Sequence, residues 1–156
     1  SWMVLPAFVA PFLVARFFIA VEELNNAICS RDSLDVAGIR KHTYEAGKTA
    51  VRNSRKYAPY RTKIMRLMGE YHWLTGKQGK AFKWWSKAIQ EGEKLSARPD
   101  LSRIYLEVGK HLLEPQSKYE NLNGKGGRSY LEKARTMFKE MDLKQDLNKL
   151  DEIASN

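Results

Sequence analysis

The chain has 156 residues and a mass of 18.0 kDa, enough for one domain of ordinary size and too little for a catalytic domain joined to a second module. Its 43% hydrophobic and 29% charged residues can build a core and exclude a wholly disordered polymer. Lys and Arg number 27 against 18 Asp and Glu, so a net charge of +9 suits nucleic acid, anionic lipid or an acidic protein, while a lone cysteine excludes an intrachain disulfide and a Cys-rich metal site.

The chain starts at Ser1 on its most apolar stretch, which reads as a piece of a longer protein. Trp2 to Ala15 carry no charge, and Phe17 to Val21 continue the run after Arg16. Pro6, Pro11 and Arg16 interrupt it, and Glu22, Glu23, Asn25 and Asn26 follow directly, so no membrane span is expected. The expectation is an exposed apolar stub over 1–11 and a helix from Phe12 to Ser30 whose apolar face packs against a preceding unit. Freed of that unit, the apolar end can pair two chains into a dimer. Cys29 is expected as a buried, inert thiol in a reducing, cytoplasmic setting.

Downstream, apolar residues recur at three- and four-residue steps and never alternate strictly, which predicts helices and no sheet. Asp35 or Ser33 caps a second helix reaching about Tyr57, with Val36, Ile39, Ala46, Ala50 and Val51 inward. A third runs from about Tyr60 to Thr75 on Ile64, Leu67, Met68, Tyr71 and Leu74, with Gly76 at its left-handed end. A fourth covers about 78–96, and a fifth starts at Pro99 and stops by Pro115. Residues 116–127 form a polar, glycine-rich loop. Helices over about 128–141 and 144–153 complete the chain. The fold class expected is all-α, an antiparallel helical hairpin array with units at about 12–57, 60–98 and 99–141 and a capping helix at 144–153.

Two segments share one frame. In a 34-residue frame beginning at Thr62, Met65, Met68, Gly69, Ala81, Trp85 and Ala88 stand at offsets 4, 7, 8, 20, 24 and 27. A second copy begins at Ser102, with Tyr105, Val108 and Gly109, then Gly127, Leu131 and Ala134 once six loop residues are allowed. Small residues at 8, 20 and 27 let paired helices approach, and large ones between them fill the space. The pattern resembles a tetratricopeptide repeat. The runs Leu67–Lys77, Ala81–Ile89, Gly92–Lys110 and Tyr130–Phe138 are similar to the carboxy-terminal repeat region of bacterial signalling proteins that join a class III adenylate or guanylate cyclase, or a Ser/Thr kinase, to an ATPase module. That resemblance implies a non-catalytic domain that binds a protein or peptide, or other domains of its own chain, and needs no cofactor.

Groove offsets of such repeats, carried over by the frame, fall on Lys63, Arg66, Glu70 and Trp73 and on Arg103, Leu106 and Lys110. Cations there would hold a carboxylate and Trp73 or Leu106 an apolar anchor. Residues 40–98 hold fifteen basic and four acidic residues, and Lys77, Lys80, Lys83 and Lys87 form a basic face on or beside the fourth helix. A nucleic-acid module is therefore the second reading, with Trp73, Trp84 and Trp85 among the cations, though Trp85 holds a packing offset. A third is a membrane-peripheral segment over residues 2–21. His42, His72 and His111 lack metal-ligand spacing. Asn123 to Ser129 fails as a phosphate loop, because Tyr119 and Gly126 occupy positions that require Gly and Ser or Thr. No nucleophile–base pair appears, so the residues supply no catalytic set.

Overall fold

The computed structural model describes residues 5–30 and 35–156. Among the described residues are seven helices, α1 (Leu5–Cys29), α2 (Val36–Ser54), α3 (Ala58–Leu74), α4 (Gln78–Lys94), α5 (Arg98–Leu113), α6 (Gly127–Glu140) and α7 (Lys144–Ala154), with β1 (Asn121–Leu122) and β2 (Lys125–Gly126) between α5 and α6. The fold is all-α, a sequential array of helical hairpins. Two compact units divide within α4, at Trp84 and Trp85, and each is described by itself.

In the first unit, α1 packs on α2 and α3, which also pack on each other. The buried stripe of α1 is Ala10, Val14, Phe17, Ala20, Val21, Leu24 and Ala27, a helical recurrence that seats one face on its partners. Two expectations change here. Helix α1 begins at Leu5, so residues 5–11 belong to it instead of forming a stub, and Pro11 lies inside it. Proline removes one backbone donor there, and the burial of Ala10, Val14 and Phe17 holds the helix through it. Cys29 is exposed, its thiol donating weakly to Asn25 Oδ1 at 3.8 Å.

The core joins Phe17 and Val21 to Ala46, Ala50, Ile64, Leu67 and Met68. Gly47 makes this possible, because a Cβ there would stand 2.9 Å from the Phe17 ring and from Met68 Sδ. The buried Thr43 hydroxyl donates to the Ile39 carbonyl at 2.8 Å and lies 3.1 Å from the Ala20 carbonyl, satisfying itself at the α1–α2 contact. Asp35 Oδ1 accepts the Gly38 amide at 2.8 Å and caps α2. The alternative cap, Ser33, lies outside the described residues.

In the second unit α5 packs on α6, and α7 packs on both. At the α5–α6 crossing a Cβ on Gly109 would meet the Gly127 carbonyl oxygen at 2.9 Å and Leu131 Cδ2 at 2.8 Å, and one on Gly127 would meet the Gly109 carbonyl oxygen at 2.8 Å. Backbone therefore touches backbone. Around this point Val108, Ala134 and Phe138 are wholly buried, and Leu150 of α7 fills the far side. The loop before α6 contains a strand pair where no sheet was expected: Asn121 pairs with Gly126 and Leu122 with Lys125 across Asn123-Gly124, both at positive φ. Asn-Gly is the dipeptide that a two-residue hairpin of this handedness favours. The Tyr130 hydroxyl donates to the Leu122 carbonyl at 2.7 Å and ties the hairpin to α6.

Substituting Gly109→Ala sets a methyl against a neighbouring backbone oxygen that cannot turn away. The expected loss is about 1–3 kcal/mol of unfolding free energy, read by urea denaturation followed by circular dichroism; an unchanged midpoint would show that the helices do not cross this closely.

Candidate functional site

The groove positions of α3, Lys63, Arg66, Glu70 and Trp73, are all half-buried and follow one another at three- and four-residue steps, so they share one face of the helix. Trp73 meets Phe82 edge to face, with ring centroids 5.9 Å apart and planes at 82°. Its ring is a packing element on one side. The four therefore form a row of mixed character, with two cations, an acid and an aromatic.

The α5 positions change their roles. Arg103 donates from Nε and from one terminal nitrogen to the two carboxylate oxygens of Asp146 in α7, at 3.0 and 3.2 Å, a two-point geometry that uses the guanidinium fork. This hydrogen bonding raises the Arg103 pKa above its ordinary value despite desolvation. Leu106 is buried and belongs to the core, so it offers no surface anchor. Lys110 is exposed and lines a cleft of about 680 Å³ with Leu113, Leu131, Arg135 and Ile153. Arg135 is held there by Asp151 at 2.7 Å.

The packing offsets take the places the frame assigns. Gly69, Ala81, Trp85, Ala88, Gly109, Leu131 and Ala134 are all buried. Trp85 stacks on His111, centroids 5.0 Å apart and planes at 9°, which removes it as a platform for a base. His111 Nδ1 lies 3.0 Å from Glu114 Oε1, and His42 is exposed. The basic face is as expected in exposure: Lys77, Lys80, Lys83 and Lys87 all point to solvent. No helix among the described residues is long and apolar enough to cross a membrane.

A feature not singled out from the sequence lies in the first unit. Tyr44, Lys48 and Arg52 recur at steps of four along α2, Arg55 follows just past its end, and with Met68 and His72 of α3 and Lys80 and Trp84 of α4 they line an open cleft of about 590 Å³. The spacing was visible in the sequence; the convergence with α3 and α4 was not. His72 is buried, and its Nδ1 has no hydrogen-bond partner among the described residues. Burial, then the charges of Lys80 and Lys77, hold its pKa below the usual histidine value. In the second unit, burial and the neighbouring Glu93 push the Tyr105 phenol up to about 12, and it donates to Glu93 Oε1 at 3.2 Å.

Comparison with protein-family models, with curated proteins and with solved structures returned no match.

Two outcomes follow from this geometry. A histidine whose folded pKa is depressed makes the unfolded chain bind more protons, so stability must fall as pH drops from the unfolded value of about 6.5 toward the lower folded one. The urea midpoint of the parent chain should decline between about pH 7.5 and 5.5 more steeply than that of His72→Gln; parallel slopes would remove His72 from the balance. Asp146→Asn should cost about 1 kcal/mol, because the Arg103 guanidinium is partly solvated, and hydrogen exchange should quicken in α7 before α5 and α6.

Proposed function

We propose that the chain is a non-catalytic interaction module of a larger signalling protein, of the cyclase or kinase type, and that it binds an acidic segment of a partner or of its own head domain along α3. The observation that carries this reading is the repeat frame's packing half: Tyr105, Val108, Gly109, Gly127, Leu131 and Ala134 are buried, and α5 and α6 touch through the two glycines. The same frame assigns the α3 row to the partner. Lys63 and Arg66 supply cationic donors beside the Trp73 ring, a chemistry suited to a carboxylate with a neighbouring apolar side chain. The Arg103–Asp146 pair and the burial of Leu106 narrow the contact to α3 and, separately, to the exposed Lys110.

Nucleic acid is the competing reading, favoured by the exposed Lys77, Lys80, Lys83 and Lys87. Fluorescence anisotropy with a library of acidic peptides and with a single-stranded oligonucleotide separates the two. The expectation is a peptide whose affinity drops about tenfold in Lys63→Ala and in Arg66→Ala, each variant checked for an unchanged melt. Oligonucleotide binding that exceeds that of every peptide and collapses with salt would replace the peptide reading.

A further inference from the structure

We propose that the cleft of the first unit, between the cationic stripe of α2 and the first turn of α4, binds a compact small ligand through its phosphate groups, with Arg52, Arg55 and Lys80 holding the anion. Four cations line it, Lys48, Arg52, Arg55 and Lys80, and among the described residues no carboxylate does. Glu45 pairs with Lys48 at 3.3 Å. Guanidinium forks match phosphate oxygens two at a time, and two arginines with two lysines around one cavity match a multiply charged anion better than a single carboxylate. Its volume of about 590 Å³ lies in the range of small-molecule sites, and Val51, Met68 and Trp84 give an apolar wall for the rest of the ligand.

The positions are locally unfavourable, which a merely solubilising surface does not require. Lys48 and Arg52 are four residues apart and Arg52 and Arg55 three apart, spacings at which like charges on a helix repel. Lys80 stands in the first turn of α4, where no acidic residue accompanies it and the helix dipole disfavours a cation. The dipole of α2 accounts for Arg52 in its last turn and Arg55 just past it and leaves Lys80 unexplained. Burial first, and then the charges of Lys80 and Lys77, lower the pKa of His72 in the cleft wall. Lys80 of α4 and Lys77 just before it act on the imidazole, Lys48 and Arg52 of α2 and Arg55 just after it line the same cleft, and the Tyr71 ring of its own helix lies at 5.1 Å. An anion seated among these cations would relieve the field and favour the imidazolium.

The site has its cations on α2, just after that helix and on α4, and the α3 residues that line it, Met68 and His72, are other than the Lys63, Arg66, Glu70 and Trp73 of the peptide row. Its test is calorimetric titration of the full chain with inorganic pyrophosphate at about 0.15 M salt. One-to-one saturable binding is expected, weakened about tenfold or more in Arg52→Gln/Arg55→Gln and retained in Lys94→Gln/Lys139→Gln, which removes the same charge elsewhere. All four replaced side chains are exposed, and matching melts establish that both variants fold. Under saturation the His72 imidazole, followed by NMR, should titrate at a higher pH than in the free protein. Absence of saturable binding, equal weakening in the two variants, or an unmoved His72 would each overturn the site. A phosphoserine peptide bound about tenfold more tightly than pyrophosphate through the same arginines would overturn the small-ligand assignment.

Discussion

The second unit depends on the crossing of α5 and α6, where Gly109 and Gly127 each present a carbonyl oxygen to the other's Cα. No side chain fits between them, so backbone lies against backbone at this point. Glycine within a helix costs roughly 0.5–1 kcal/mol against alanine, and the cost is recovered by what the approach permits. Val108, Ala134 and Phe138 lose all solvent, and Leu131 folds over Gly109. The same closeness sets α7. With α5 and α6 drawn together, one short helix touches both, buries Leu150 and carries Asp146 to Arg103.

The first unit reaches a similar end by a different pair of sizes. Its close point is a glycine opposite large side chains, Gly47 receiving the Phe17 ring and Met68, so a single aromatic residue links three helices. Both units close their helices alike. After α3, α4 and α6 the chain turns through a left-handed residue, Gly76, Ser96 or Asp142, and the following amide returns to the carbonyl five residues back: Lys77 to His72, Ala97 to Gly92, Leu143 to Phe138. Glycine takes this conformation without strain, while serine and aspartate take it at a cost borne by the flanking packing.

How much of this was legible turns on the range over which each feature is encoded. Helix bounds came within a few residues because apolar recurrence, Asp35, Gly76 and Pro99 act locally. The glycine crossing was readable because a repeat frame pairs distant positions by number alone. The start of α1 was misplaced because two prolines were read as breaks, whereas burial of one face outweighs the loss of a backbone donor. The Asn123-Gly124 hairpin carried its own signal, and two-residue strands are too short for any alternation to show. Arg103 and Leu106 were assigned outward on frame position alone, and their partners, Asp146 on a later helix and the core, lie beyond what spacing reports. The α2 stripe was half legible. Its three cations could be counted, but their meeting with His72 and Lys80 exists only in the folded chain.

That meeting ties ligand chemistry to protonation. A neutral His72 is the form that burial and the surrounding cations select. An anion in the cleft acts on the same equilibrium from the opposite side, and linkage is reciprocal, so protonation of His72 must strengthen the anion by the factor with which the anion favours protonation. Phosphate itself loses charge as pH falls through its second pKa of about 6. The two effects oppose each other over the same interval, and affinity is set by their difference. An anion of constant charge, such as sulfate, isolates the contribution of the imidazole, because the anion then keeps its charge while His72 changes its own.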